Sequence, residues 1–333
     1  MILSHTEHEM LETKEIFQNF DLAKTKLLAE KIGTKRVIFS GMGSSLIFPG
    51  KQAKHRALSY NLQNRVEVYF SSDLLQYTDF SGTFLFLCSN SGNTKEVLLL
   101  LKHAKAQGAI CIGITTVSDS PLAKQCDEII LLSGGFEKGV AATKSVVEQA
   151  LIYDSLIFHL AKQQGKNVDI RKLQRELKNT GEILIQNIEL PMGKGFIKAI
   201  VEYPQYFFVG LDTGVAEELT LKMIEMARKS AFFYPDTFIL HGPAEAIDQG
   251  IMIIVDPNQF NVFAADFEEF SKKTSTRIIR LGDRDILFTS NKTFKNYCLL
   301  AGGWGLLRNI ANYSHIDIDS PQKISKIGVP YEK

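Results

Sequence analysis

The chain has 333 residues, of which 45% are hydrophobic, and its 38 lysines and arginines almost balance its 37 aspartates and glutamates. This length favours two domains of ordinary size, each with its own core, over a single compact one. A formal net charge of +1 provides no long-range attraction to nucleic acid or to a membrane surface, so we expect neither as a partner.

The four cysteines are scattered and form no CxxC pair, and Cys88 and Cys111 lie in apolar runs typical of buried strands. The N-terminus lacks the basic and apolar regions of a signal peptide, and no stretch approaches about 18 uninterrupted apolar residues. We therefore predict a cytoplasmic protein with reduced thiols that neither is secreted nor spans a membrane.

Amphipathic spacing over residues 5–15 and 22–32 predicts helices, which we assign to a helical lead-in of residues 1–32. From residue 36 onward, short β-rich runs alternate with helical segments. The predicted strands cover residues 36–40, 65–70, 83–89, 109–115 and 128–132, and a strong helix is predicted over residues 94–107. This alternation is typical of a parallel α/β sheet.

Two long helices are predicted over residues 140–163 and 168–188, and the polar stretch between them indicates a domain boundary near residue 165. The second half repeats the pattern, with an apolar segment over residues 206–210, predicted strands over residues 231–234, 251–255 and 277–281, and helices over residues 216–228 and 294–312. We therefore predict two α/β domains, residues 33–165 and residues 166–333, each a parallel sheet flanked by helices.

Two loops rich in small and hydroxyl residues follow predicted strands: residues 41–45 (GMGSS) and residues 89–94 (SNSGNT). Open α/β sheets bind ligands at the carboxyl ends of their strands, where glycine lets main-chain amides approach an anion and hydroxyls donate to phosphate oxygens. The loops therefore predict a phosphate site, the alternative being that they only cap helices and form turns. Since the first loop lacks the third glycine of a GxGxxG sequence, we predict no dinucleotide and no other cofactor.

Together with residues 139–144 (GVAATK), these loops resemble the sugar isomerase (SIS) domain family of phosphosugar enzymes, which includes the isomerase half of glucosamine-fructose-6-phosphate aminotransferase. The resemblance implies two tandem SIS domains with a flavodoxin-like three-layer architecture. It also implies that a set of loop residues binds the sugar phosphate: Ser44, Ser45, Ser89, Asn90, Ser91 and Thr94. Gly43, Val140 and Ala142 match positions that lie close to the sugar.

Lys222 and Glu225 share one face of a predicted helix, and His241 follows sixteen residues later in a His-Gly-Pro sequence. By themselves the first two residues predict an exposed charge pair, but the spacing to His241 matches the catalytic KxxE and HGP elements of SIS enzymes. Residues 319–326 (DSPQKISK) resemble the C-terminal segment of the family, in which the last lysine approaches the sugar carbonyl. Lys326 is the matching residue.

From this resemblance we expect Glu225 to move the proton between C1 and C2, and His241 to open the sugar ring. Lys326, or Lys222, would form an iminium with the substrate. In the family the histidine comes from a neighbouring subunit, so a homodimer with shared active sites is implied. The other histidines lack the spacing of metal ligands, and we predict no metal.

The activity implied is aldose–ketose isomerisation, or isomerising deamination, of a sugar or amino sugar 6-phosphate. A fructosamine 6-phosphate deglycase is the first alternative, because it begins with the same proton transfer. A non-catalytic phosphosugar-binding regulator is the second, although the segment before the first strand is too short and too acidic for a DNA-binding domain. Met1 is followed by Ile2 instead of the nucleophilic cysteine of a glutaminase domain, so no glutamine-dependent synthesis is expected.

Overall fold

The computed structural model of the protein describes residues 3–323. Lys326, the predicted imine-forming lysine, lies outside the described residues. Within them, the strands form one sheet of five strands and one of four, and neighbouring strands are parallel in both. The predicted class, α/β with parallel sheets and helices, is confirmed.

The first sheet has the strand order β2-β1-β3-β4-β5. Its strands are β1 (Val37–Gly41), β2 (Val66–Phe70), β3 (Phe84–Cys88), β4 (Ile110–Thr115) and β5 (Glu128–Leu131). The central strands β1 and β3 are buried along their whole length, as their largely apolar sequences lead one to expect. Because the strand order reverses between β1 and β3, the loops that leave these two strands border the crevice in which open α/β sheets bind ligands.

The second sheet has the strand order β7-β6-β8-β9. Its strands are β6 (Gln205–Gly210), β7 (Ser230–Pro235), β8 (Gly250–Val255) and β9 (Thr276–Leu281). One of its cores packs aromatic and aliphatic side chains of β6 and β8 against Phe267 and Phe270 of a nearby helix. The strands of both sheets lie within two residues of the predicted strands or, for β6, of the predicted apolar segment, because most of them are short runs rich in apolar residues between polar loops.

The helices are α1 (His5–Leu11), α2 (Thr13–Asn19), α3 (Lys26–Ile32), α4 (Ile47–Ser59), α5 (Lys95–Ala106), α6 (Pro121–Gln125), α7 (Lys144–Gln163), α8 (Ile170–Ile188), α9 (Lys194–Val201), α10 (Val215–Ala227), α11 (Ala264–Thr274) and α12 (Lys295–Tyr313). The predicted helix over residues 5–15 is divided between α1 and α2. Helix α4 was not predicted, because Pro49 and Gly50 suggest a break. Both residues lie in the first turn of α4, where a proline removes no hydrogen bond of the helix.

The predicted start of a helix at residue 140 is wrong, since α7 begins at Lys144. Residues 139–143 form a loop instead, so the predicted substrate-contacting residues Val140 and Ala142 lie in a loop. This placement suits a role in binding, because loop main chain has N–H and C=O groups that are not committed to a helix.

The described residues form two compact units. One contains the first sheet and comprises residues 18–138, 142–175 and 323. The other contains the second sheet and comprises residues 3–17, 139–141 and 176–322. Residues 139–141 therefore group with the N-terminal helices and the second sheet, although their chain neighbours belong to the other unit. The predicted domain boundaries after residues 32 and 165 remain predictions.

All four cysteines are free thiols, and Cys88, Cys111 and Cys298 are buried. Burial raises the pKa of both the Cys111 and the Cys126 thiol to about 12, so these side chains stay protonated at neutral pH and are poor nucleophiles. Across residues 3–323, none of the helices combines the length and the apolar character needed to cross a membrane.

Candidate active site

The loop after β1 begins with a glycine that packs against main-chain carbonyls. A Cβ on Gly41 would lie 2.9 Å from the carbonyl oxygen of Ser45 and 3.1 Å from that of Cys88. Only glycine therefore lets this loop fold so closely against the end of β3. Gly43 has φ +53°, and residues 43–45 form a short 3-10 helix that leads into α4. Ser44 is buried in this turn and Ser45 is half-buried.

The loop after β3 brings two predicted phosphate-binding hydroxyls together. Ser89 Oγ and Thr94 Oγ1 are 2.8 Å apart. Thr94 occupies the N-cap position of α5, yet within the described residues its side chain makes no capping hydrogen bond. Ser91 Oγ accepts a 3.2 Å hydrogen bond from the main-chain N–H of Asn93, so this hydroxyl does help to form the turn. The alternative that these residues only cap helices therefore accounts for Ser91 and leaves Thr94 unexplained.

Asn90 is fixed through both its main chain and its side chain. Its carbonyl oxygen accepts hydrogen bonds from Thr115 Oγ1 at 2.9 Å and from Thr116 Oγ1 at 2.7 Å. Its Nδ2 donates to Glu137 Oε2 at 3.2 Å. Because an ionised carboxylate only accepts, it requires the amide nitrogen to face it. The Asn90 side chain is thus oriented by the protein before any ligand arrives.

Glu137 is a buried residue that the sequence analysis missed. Its Oε1 accepts hydrogen bonds from the main-chain N–H of Thr143 at 2.8 Å and of Ser145 at 3.2 Å, and its Oε2 accepts from Ser145 Oγ at 2.6 Å. These groups stand at the start of α7, where N–H groups lack helical partners and the helix dipole favours a negative charge. Glu137 therefore joins the start of α7 to Asn90.

On α10, Lys222 lies between two carboxylates. Its Nζ is 2.6 Å from Glu225 Oε2 and 3.2 Å from Glu218 Oε1. The side chains of Lys222 and Glu218 are 0% exposed, and that of Glu225 is 17% exposed. The alternative of an exposed charge pair is therefore wrong, and Glu225 is the member of the cluster that a ligand can reach.

The cluster of Glu218, Lys222 and Glu225 keeps its lysine charged. Burial alone would lower the pKa of Lys222, but the charges of Glu225 and Glu218 outweigh it and raise the pKa above its usual value. Glu218 was not predicted. It stands four residues before Lys222, on the same helix face, so the sequence did contain the signal.

His241 lies between two 3-10 turns that follow β7, Phe238–Leu240 and Gly242–Ala246. The residue is exposed, and its ring forms no hydrogen bond with any residue in the range 3–323. The structure thus does not bring His241 into hydrogen-bond contact with the α10 cluster. Of the predicted C-terminal element, Asp319 and Ser320 are described and Lys326 is not.

No group of three or more histidine, cysteine, aspartate or glutamate side chains is arranged to hold a metal ion, as far as the described residues extend. The α10 cluster contains two carboxylates, but Lys222 occupies the position between them. Chemically, one unit offers a reachable carboxylate beside a fixed ammonium group, and the other unit offers a set of hydroxyls at the ends of β1 and β3.

A family model described as the SIS domain matches residues 32–159. This stretch contains the first sheet and both hydroxyl loops, and the predicted resemblance is confirmed. Among curated proteins, the isomerizing glutamine–fructose-6-phosphate aminotransferase of Clostridium perfringens (strain 13 / Type A) is 27% identical over 251 residues. The match covers 74% of this chain and 40% of that relative, so the chain spans less than half of the relative's length.

Two solved structures share the fold over almost the whole chain. The C-terminal domain of glucosamine-fructose-6-phosphate aminotransferase from Francisella tularensis has a TM-score of 0.79 at 20% identity and covers 96% of this chain and 99% of its own. A glucosamine-6-phosphate deaminase from Thermotoga maritima has a TM-score of 0.74 at 23% identity, with coverages of 97% and 99%. At these identities the likeness establishes a common fold.

Proposed function

We propose that the protein is an enzyme that isomerises a sugar 6-phosphate or deaminates an amino sugar 6-phosphate, on the premise that residues 32–159 match the SIS domain model. Residues 166–333 would be a second SIS domain. The relatives named above support the substrate class, since one is an aminotransferase of fructose 6-phosphate and one is a deaminase of glucosamine 6-phosphate.

The observation that carries this proposal is the α10 cluster. A buried lysine needs one carboxylate for charge neutrality, whereas Lys222 has two, at 2.6 Å and 3.2 Å. The cluster therefore gathers three ionisable groups in a site with little water, where burying charged groups costs free energy. Such an arrangement is typical of active sites, where a carboxylate must accept a proton during the reaction.

In the proposed mechanism, Glu225 removes a proton from one of the two carbons C1 and C2 and returns it to the other. Negative charge develops on the substrate oxygen or nitrogen during this transfer. The Lys222 ammonium group, fixed beside Glu225, would stabilise that charge electrostatically. Because an ammonium group has no free electron pair to attack a carbonyl, the raised pKa of Lys222 favours Lys326 as the imine-forming residue.

The hydroxyl loops would hold the substrate by its phosphate. The hydroxyls of Ser89 and Thr94 lie 2.8 Å apart, close enough to contact one phosphate group, and α5 begins directly after Thr94. A helix N-terminus and hydroxyl donors together form a common phosphate site. Binding at this remote group would place the reacting carbons and so contribute to the rate.

His241 would open the sugar ring in a neighbouring subunit. Its exposure and the lack of a hydrogen bond to its ring within the described part of the chain agree with a side chain that acts across an interface. A homodimer with shared sites is therefore part of the proposal. The complete activity of its longer relatives is not part of the proposal, because the chain spans 40% of the Clostridium protein.

The test is an assay of the purified protein with glucose 6-phosphate, glucosamine 6-phosphate, galactosamine 6-phosphate and fructoselysine 6-phosphate, in which ammonia, free amino acid and ketose phosphate are measured. Glu225→Gln should reduce kcat by about 10³-fold or more, the loss typical of a general base. Glu269→Gln is the matched control, because Glu269 pairs with Lys273 at 2.6 Å on the surface.

Ammonia and ketose phosphate as products would identify a deaminase. Ketose phosphate formed from an aldose phosphate would identify an isomerase, and a free amino acid would identify the deglycase. If no substrate is turned over while the same phosphates raise the melting temperature, the enzyme proposal is refuted in favour of a phosphosugar-binding regulator.

A further inference from the structure

Two side chains of helix α1 contact the main chain of Gly139. The Gly139 N–H donates to both carboxylate oxygens of Glu9, at 3.2 Å and 3.4 Å. The main chain also approaches α1 so closely that a Cβ on Gly139 would overlap the Thr6 hydroxyl. Thr6 is 0% exposed and Glu9 is 5% exposed, so these polar side chains are enclosed by protein. The residue after Gly139 is Val140, a predicted contact of the sugar.

The start of α1 also binds the segment that leads into the C-terminal tail. The Asp319 carboxylate accepts hydrogen bonds from the main-chain N–H groups of His5 and Thr6 and, at 2.7 Å, from the Thr6 hydroxyl. Thr6 thus contacts both segments. On the other side, Arg228 follows α10 directly and donates to the carbonyl oxygens of Asp317, at 2.9 Å, and Ser320.

An ion pair fixes α1 itself. Glu7 Oε1 is 2.6 Å from Arg308 Nε, on α12. Burial would raise the pKa of Glu7, but hydrogen bonds from Ser4 and the Arg308 guanidinium outweigh this effect and hold the pKa below its usual value. Glu7 is therefore ionised at neutral pH, and α1 has a defined position within its unit.

We propose that α1 is a positioning element of the active site, in which Thr6 and Glu9 set the main chain of residues 139–141 and Asp319 sets the base of the C-terminal tail. This inference rests on the proposed function. Its structural basis is that one short helix binds both segments through buried polar groups, where apolar packing would be enough for stability alone. Thr6, Glu9 and Asp319 lie in the same unit as the α10 cluster.

The test compares two substitutions with matched controls. Gly139→Ala removes no polar group but displaces the main chain from Thr6 and Glu9, while Gly195→Ala introduces a Cβ that meets nothing within 4 Å. Glu9→Leu removes the acceptor for Gly139, while Glu9→Gln keeps an acceptor oxygen. Each variant is assayed for kcat and KM with the substrate that the wild-type protein turns over fastest, and for binding of inorganic phosphate and glucosamine 6-phosphate by calorimetry.

We expect Gly139→Ala and Glu9→Leu to lower kcat/KM by about tenfold, the effect of one lost positioning hydrogen bond. Their Kd for inorganic phosphate should stay within about twofold of wild type, because the hydroxyl loops are untouched. Glu9→Gln and Gly195→Ala should resemble wild type.

Unchanged kcat/KM in folded Gly139→Ala and Glu9→Leu proteins would overturn the positioning role and leave the proposed function intact. An equal loss of phosphate and sugar phosphate binding would also overturn it, because general destabilisation would then explain the effect. If the wild-type protein turned over no substrate, the proposed function would fail, and the Kd for glucosamine 6-phosphate would still decide whether α1 positions the binding site.

Discussion

Replacing Lys222 with methionine is the most informative single perturbation of this protein. The unbranched methionine side chain fills most of the space of the lysine stem but provides no charge between Glu218 and Glu225. In the wild type the two carboxylates share one ammonium group, and in the variant they would face each other in a buried site. Removing one partner of a buried ion pair costs about 3–5 kcal/mol. At about 2–4 °C per kcal/mol, the melting temperature should fall by about 6–20 °C at pH 8.

The loss should depend on pH in a defined direction. In the wild type the pKa of Lys222 is raised, so its contribution to stability is complete below the unfolded value of about 10.4 and constant between pH 5 and 8. In Lys222→Met, repulsion raises the pKa of at least one carboxyl above its unfolded value of about 4.3. The folded protein then binds the extra proton, and the free energy of unfolding falls as pH rises, by about 1.4 kcal/mol per unit of pKa difference.

Thermal denaturation at pH 5 and pH 8 checks this reasoning. The melting temperature of Lys222→Met relative to wild type should be clearly lower at pH 8 than at pH 5. Lys273→Met, which breaks the exposed pair with Glu269, should change the melting temperature little at either pH. A destabilisation of Lys222→Met that is equal at both pH values would show that the carboxylates do not face each other as charges.

Three further predictions concern the first-sheet unit. Asp154→Ala should destabilise the protein by about 3–5 kcal/mol in thermal melts, because it removes the carboxylate whose Oδ1 lies 2.6 Å from Nε of the buried Arg56; a change below 1 kcal/mol would contradict this. Gly92→Ala and Gly82→Ala introduce the same strain at φ +64° and +68°, but only the former overlaps a neighbour, Ser120. Phosphate affinity measured by calorimetry should therefore fall only in Gly92→Ala, and an equal loss in both would be evidence against the loop as the phosphate site. Glu137→Gln should destabilise the protein by about 1–3 kcal/mol in thermal melts, since an amide nitrogen would face donors; a neutral effect would mean that Glu137 is protonated.

The strands and the α10 cluster show what sequence patterns can predict. Strand β3 was predicted over residues 83–89 and covers Phe84–Cys88, because a fully buried strand is an uninterrupted apolar run. The spacing of Lys222 and Glu225 placed both on one helix face, and the resemblance to SIS enzymes identified them as candidate site residues. Their burial was not predictable in this way, since it depends on which neighbours cover the helix.

The missed elements have different causes. Helix α4 was hidden by Pro49 and Gly50, although proline is tolerated in a first helical turn. Gly50 is required there, because a Cβ would lie 2.9 Å from Val68 Cγ1 of the neighbouring strand. Helix α11 has only three buried side chains in eleven residues, so its apolar periodicity is weak. In both helices, residues that suit the packing weaken the sequence pattern by which a helix is predicted.

The segment over residues 133–145, a loop that ends in the first turn of α7, shows why much of the site escaped prediction. Its main-chain N–H groups are held by buried carboxylates instead of by a sheet or helix. Glu148 accepts from Ser133 and Gly134, and Glu137 accepts from Thr143 and Ser145.

These acids carry no recognisable motif, because their spacing from the groups they bind is set by the tertiary path of the chain. Glu9 shows this most clearly, since it lies 130 residues from Gly139, which it binds. A carboxylate with two oxygens can accept hydrogen bonds from several N–H groups at once, so it can hold a loop in one conformation as a helix or sheet would. The other main-chain groups of the loop stay available to a ligand. We therefore expect glutamine substitutions at such acids to be less well tolerated where donors contact both carboxylate oxygens from several residues, so Glu137→Gln should destabilise the protein more than Glu9→Gln.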